Sequence, residues 1–443
     1  MNRVVGLETE YGCWAPDWQA GMTPIATTRN WLFNQKYGLI DVHQRDWDEP
    51  AGNGGFLYNG GRAYIDMGHF EYCTPECKDL LDITRYSRAG DFILQEWVDT
   101  NKYNDSVRYI RNNIDHFSGA TFGCHENYLV RRKAPLTESN VHSLLAYLTV
   151  REVFAGAGRI GAINSSTDYQ ISQRADYINN DLFEWVSFNS AIINTRDEPL
   201  ADARKYRRLH LLHGDTHVLP TAQLLTLGVT ALVLDLLEAD EMPKITLDNA
   251  VQTFRQLSHQ PDGPWEVRLA GGTTTTAVDI LWKFHEAATM AFGNRDQETK
   301  DLLRIFGDTL SDLVRNPRNL IGKLDWITKR YLLEEFCDRE HLGWDSPWVK
   351  SQDLAYHMID PKVGVGMVME NTPDCWKIPQ GDILDALMTP PQNTRAKARS
   401  DIMKNLDLSK GYYIDWEVIG AEGEQSIHLL DPLCSDSKPK SSS

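Results

Sequence analysis

Apolar and polar positions recur along this chain with two periods, and each period predicts a different element. Across Arg62–Cys77 (RAYIDMGHFEYCTPEC), Ala63, Tyr64 and Ile65 form a strand-like run that ends on Asp66. Gly68 breaks the run, and Glu71 and Glu76 follow at short intervals. An acid in that setting is either an ordinary loop residue or a carboxylate displayed at a strand end, where it could act as a base; the pattern leaves both open. Val4, Val5 and Leu7 predict another strand, which carries Glu8 and Glu10 on one face because side chains two apart point the same way. Such a pair calls for solvent at an edge or a divalent cation between the two acids. Gly119–Leu129 (GATFGCHENYL) is β-prone around His125 and Glu126, and the runs Tyr169–Ile171 and Ala191–Ile193 lead into SQRADY and NTRDEP.

Helical spacing appears in Leu80–Thr100, between Val141 and Phe154, in Leu224–Leu237, and in Arg304–Leu313 and Trp326–Phe336. Met22–Leu39 mixes turn and helix signals, while Asp41–Gly61, with Pro50 and repeated glycines, predicts a loop. Pro373 and Pro379 mark a boundary. The expected organisation is a large domain over 1–372, a small C-terminal domain over 373–433 and a disordered tail over 434–443.

The 62 acidic residues outnumber 45 basic ones, a net charge of -17, which disfavours a general nucleic-acid or anionic-membrane binder. The N-terminus lacks a secretory apolar core and no uninterrupted apolar run approaches the roughly 20 residues of a spanning helix, so a cytoplasmic location is expected. Seven scattered cysteines read as free thiols, and the Cys73/Cys77 spacing without a second pair argues against structural zinc.

Several signals bear on chemistry. Glu8, Glu10, Glu71 and His125 offer the donors of an oxygen-rich Mg²⁺ or Mn²⁺ site, although a lone histidine is more commonly structural. GAGRIGAI matches neither the P-loop nor the dinucleotide pattern. Arg174 and Arg196, each at the edge of an apolar run, are candidate clamps for phosphate, with surface salt bridges to neighbouring acids as the plain alternative. Ala203–His210 (ARKYRRLH) reads as a solvated helix face or the lining of an anion pocket. Together these residues suggest ATP-driven activation of a carboxylate, with Asp66 preparing the incoming amine.

The segments GLETEYG, NGGRAYIDMGHFEYCTPEC, FGCHENYLV, ISQRADYI, IINTRDEP, YRRLH, VRLAGG and PPQNTRAKAR resemble the family of Pup ligases and Pup deamidase–depupylases, from residue 3 to about residue 430. The resemblance implies an α+β fold: a large glutamine-synthetase-like domain with an antiparallel β-sheet cradle packed by helices, plus a small C-terminal domain. It implies Glu8, Glu10, Glu71 and His125 as metal ligands and Asp66 as the catalytic group. Tyr64, Arg174, Arg196 and His210 would serve ATP. The implied cofactors are ATP and Mg²⁺, with Mn²⁺ as the alternative, and the implied partners are Pup or a Pup-like modifier, lysine-bearing proteins and, indirectly, the bacterial proteasome. The ligase phosphorylates the C-terminal glutamate of Pup and passes the acyl group to a lysine. The alternatives are the deamidase–depupylase and a catalytically degenerate modifier-binding protein. ETEYG and the short Asp41–Gly61 segment resemble the ligase branch; SQRADY and the five-residue separation of Asp66 and Glu71 resemble the deamidase branch.

Overall fold

The strand that carries Glu8 and Glu10 runs over Val5–Trp14 (β1) and lies inside a ten-stranded sheet. Its companions are β2 (Gly38–Ile40), β3 (Gly54–Leu57), β4 (Arg62–Asp66), β5 (His69–Cys73), β6 (Arg108–Ile110) and β7 (Cys124–Arg131). A separate two-stranded pair, β8 (Arg159–Ile160) with β9 (Tyr169–Gln170), precedes β10 (Asn180–Phe183), β11 (Ala191–Asn194) and β12 (Tyr206–Leu211). The order is β10-β11-β12-β7-β1-β5-β4-β3-β2, with β6 also paired to β1; every pairing is antiparallel except β10 with β11. This computed structural model describes residues 1, 3–19, 21–115, 119–161, 168–184, 190–373 and 375–436. The last two residues of GAGRIGAI and most of the expected tail, 437–443, lie outside the described residues.

Register assigns each face. Glu8 pairs with His125 and Cys73, Glu10 with Glu71, Glu71 with Tyr64, Asp66 with His69, and Asn127 with His210. Directly opposed residues point to the same side, so one face of five neighbouring strands is a polar cradle. The alternate residues, among them Leu7, Tyr11, Phe70, Tyr72 and Tyr128, face the other way and are buried in the core. A one-residue slip would exchange the two faces.

Helices cover the apolar face. Leu80–Thr100 is one continuous helix, and Pro220–Ala239 packs beside it. The latter is long and apolar enough to cross a membrane, yet 83% of its apolar window is buried, so it is a core helix, as Leu224–Leu237 suggested. Arg304–Leu313 and Trp326–Phe336 lie within the helices Gln297–Arg315 and Asp325–Glu340.

Two expectations change. The predicted loop Asp41–Gly61 contains β3, hidden because its glycines look like turn signals. A Cβ on Gly54 or Gly55 would lie only 2.2 or 2.1 Å from atoms of the neighbouring strands, so only glycine fits this pairing. ARKYRRLH is not a helix: from Tyr206 it pairs with β7, and alternation puts Arg208 and His210 on the cradle side.

Beyond Pro373, the helix Arg395–Met403 and the strands Tyr412–Ile414, Val418–Ala421 and Ile427–His428 share a second apolar cluster with Leu39 and Phe56 of the sheet. Glu76 anchors them. Arg395 Nε donates to its Oε1 at 2.6 Å, Arg399 Nη1 reaches the same oxygen at 3.1 Å, and Arg399 Nη2 donates to Oε2.

Candidate active site

The cradle gathers its acids and histidines into two adjoining clusters. At one end the ligand atoms of Glu10, Asp66 and Glu71 lie within 4.8 Å of one another; at the other, Glu8, His125 and His210 do the same. Neighbouring strands supply them: β1 the two acids, β5 Glu71, β4 Asp66, β7 His125 and β12 His210.

Asp66 is placed by a tight hairpin. β4 and β5 are joined by Met67 (φ 44°) and Gly68 (φ 92°), two left-handed residues, with Asp66 and His69 as the last pair. Two consecutive positive φ values suit the twist of a two-residue hairpin, and glycine takes the second without strain. The five-residue separation of Asp66 and Glu71 is therefore a turn length, and Glu71 keeps its register opposite Tyr64 and Glu10.

Among the described residues no salt bridge reaches Glu10, Asp66 or Glu71, although the charges of Arg174 and His125 are felt by Glu10 and Asp66. Burial, then the Glu8, Glu10 and Asp66 charges, push Glu71 well above the usual carboxylate range; Tyr64 Oη donates to its Oε1 at 2.6 Å and Cys73 Sγ sits 3.4 Å from the same atom. Burial and the Glu10 charge raise Asp66 to about 6. Three acids this close, Glu10 and Glu71 buried and Asp66 half-buried, destabilise one another, and a divalent cation would remove the repulsion.

The histidine end behaves differently. Glu8 accepts from Asn127 Nδ2 at 2.9 Å, and its Oε2 lies 3.2 Å from His125 Nδ1 and 3.5 Å from His210 Nε2. Burial would raise Glu8, but the two histidines outweigh it and hold the carboxyl well below its usual range. Burial drives His210 down to about 4, so it is neutral near pH 7. With His210 neutral near pH 7, Asn127, His125 and the Arg208 guanidinium remain beside the Glu8 carboxylate. His210 Nε2 is buried without a hydrogen bond among the described residues, and an ionised carboxylate beside such a ring nitrogen is a donor set that suits a divalent cation.

The two predicted arginines separate. Arg174 is buried, 4% exposed, with Nε and Nη1 unpartnered among the described residues; burial lowers its pKa and Glu10 is the strongest favourable charge on it. Arg196 is half exposed and donates to Glu198 Oε1 at 3.1 Å, the surface pairing weighed above. Arg208, not singled out in the sequence, comes within 3.9 Å of Glu8. It and Asn127 were legible: each lies two residues from a candidate histidine on the same strand, and so on the same face.

Beside Glu8 a cavity of about 90 Å³ is lined by Gly6, Thr74, Asn127, Leu200, Arg208 and Trp416. A larger cavity, about 1210 Å³ and lined by Trp265, Trp282 and Arg318, shares no residue with either cluster.

The Pup-ligase protein family matches residues 3–420 of this chain. A Pup--protein ligase from Rhodococcus erythropolis strain PR4 is 33% identical over 451 residues, covering 98% of this chain and 97% of the relative. Among solved structures, PafA in its complex with the prokaryotic ubiquitin-like protein Pup, whose ligase it is, aligns with a TM-score of 0.85 at 32% identity over 98% of this chain and 89% of that one. PafA in complex with ADP aligns with a TM-score of 0.80 at 30% identity, over 95% and 94%.

Proposed function

This chain belongs to the Pup-ligase family, and on that premise we propose that it activates the C-terminal glutamate of Pup with ATP and joins it to lysine side chains of target proteins. It is an ATP-dependent carboxylate–amine ligase that acts on Pup. The observation that carries the residue assignment is Asp66, fixed at a hairpin end within 4.8 Å of Glu10 and Glu71.

In this reading the γ-phosphoryl of ATP passes to the γ-carboxylate of the glutamate, giving an acyl phosphate and ADP. The lysine Nζ then attacks the acyl carbon, phosphate leaves, and Asp66 accepts the proton lost by the amine. Glu10 and Glu71 at one end, and Glu8 with His125 at the other, would hold Mg²⁺. That cation would neutralise phosphate charge. Arg174 is free to donate to phosphate oxygens, His210 and Tyr64 orient the groups around the nucleotide, and Arg196 reaches phosphate only after leaving Glu198. Residues 1–372 form the catalytic domain and 373–433 a small domain held on Glu76. The reaction takes place in the cytoplasm and its products go to the bacterial proteasome.

The five-residue spacing does not favour hydrolysis, because the two-residue turn leaves Glu71 in register. Purified protein with ATP, Mg²⁺ and a modifier ending in Glu should give lysine conjugates and one ADP per bond formed. Ammonia release from a Gln-ended modifier, without stoichiometric ADP and without conjugate, would instead assign it to the deamidase branch.

A further inference from the structure

Arg174 projects from an irregular turn, and a buried guanidinium with two nitrogens unpartnered among the described residues needs a rigid support to stay aimed. Asp215, 3% exposed and four residues beyond β12, supplies it. Its Oδ2 accepts the backbone N–H of Gln173 and of Ala157, both at 2.8 Å. Its Oδ1 accepts Arg174 N–H at 3.2 Å and Ser172 Oγ at 3.1 Å, and Ser172 Oγ in turn accepts Arg174 and Ala175 N–H at 3.0 Å. One carboxylate thus ties down the three residues leading to and including Arg174. The side chain of Gln173 locks the same turn from the other side, accepting Asn113 N–H at 2.7 Å and donating to Gly158 O at 3.1 Å.

From this geometry we infer that Asp215 is a positioning residue for the reaction: it holds Arg174 where the transferred phosphoryl group sits and touches no substrate itself. The inference rests on the phosphate role given to Arg174 above. It makes the Asp215 turn part of how the enzyme distinguishes ATP from ADP, because an arginine aimed at the γ-phosphoryl has no counterpart contact on ADP. A carboxylate is required here, since three N–H groups and a hydroxyl converge on two acceptor oxygens and an amide would face donors with its own donors.

The test is a double-mutant cycle on ATP turnover, with ADP affinity and thermal stability measured alongside. Arg174→Ala should lower ATP turnover about 100-fold or more, the usual cost of removing a donor to developing charge. Asp215→Asn should lower it about 10- to 100-fold, as supporting residues do, with ADP affinity within about twofold of wild type. In the Arg174→Ala background the Asp215 substitution should cost less than about twofold more. Ser172→Ala, a milder change, keeps the question open to measurement should Asp215→Asn fail to fold. It should raise the KM for ATP about three- to tenfold with ADP affinity unchanged. Full multiplication of the Arg174 and Asp215 defects, or parallel loss of ATP and ADP binding in Ser172→Ala, would overturn the inference while leaving the phosphate role of Arg174 intact. Wild-type turnover by Arg174→Ala would remove that role, and the inference with it.

Discussion

Glu71 and Glu76 lie five residues apart in one stretch of chain, both buried, and they have opposite surroundings. Glu76 is clasped by Arg395 and Arg399, which outweigh burial and hold its carboxyl below the usual range. Glu71 has no cation paired with it among the described residues; burial and three neighbouring acids push it well above. A buried acid with its counter-charge built into the protein is an anchor. One whose counter-charge is missing is prepared for a ligand that brings it.

Exchanging each acid for its amide gives the largest contrast. Glu76→Gln leaves two buried arginines short of a counter-charge and should destabilise the fold by about 3–5 kcal/mol in denaturant unfolding, with activity per folded molecule retained. Glu71→Gln should lower conjugation about 100-fold or more while the metal-free protein melts at the same temperature or higher, since a repelling charge is gone. Equal stability losses in the two variants would erase the distinction.

Mg²⁺ is the next lever. At about 100 times its dissociation constant it should stabilise the wild-type protein by about 2.7 kcal/mol. Thermal unfolding should show this gain reduced in Glu71→Gln and unchanged in Glu76→Gln corrected for its lower baseline.

pH separates Glu76 from the acids of the cradle further. Asp66, raised to about 6, keeps its proton to higher pH than an unfolded aspartate. Its contribution to stability is therefore present below the unfolded value and lost as pH rises toward 6, and the metal-free protein should weaken over that window. Glu76 has the opposite sign: its contribution is present at neutral pH and is lost as pH falls through its depressed pKa. Conjugation should rise with pH as Asp66 ionises, and the midpoint should move lower as Mg²⁺ is added.

The smallest expected effect is that of Tyr64→Phe, which removes the 2.6 Å hydrogen bond to Glu71. A loss of about 10-fold or less in conjugation, through weaker Mg²⁺ affinity, is expected.

The sequence carried the cradle because β alternation is local: Glu8 with Glu10, and Tyr64 with Asp66, share faces by parity alone. What joins the strands is not local. The pairing of Glu10 with Glu71, and of Asn127 with His210, depends on register between distant segments, and because ARKYRRLH looked helical the parity of Arg208 with His210 was hidden. The anchoring role of Glu76 was hidden for the same reason, since its arginines lie more than 300 residues away. The motifs shared with the Pup-ligase family supplied the reaction, which residue types alone narrowed only to ATP-dependent carboxylate activation.

The central claim is that Asp66 takes the proton from the attacking lysine, and it is tested by following ADP and conjugate separately in Asp66→Asn. The expected result is that ADP still forms with Pup and ATP while conjugate formation falls about 100-fold or more. Conjugate appearing at the wild-type rate would contradict the account.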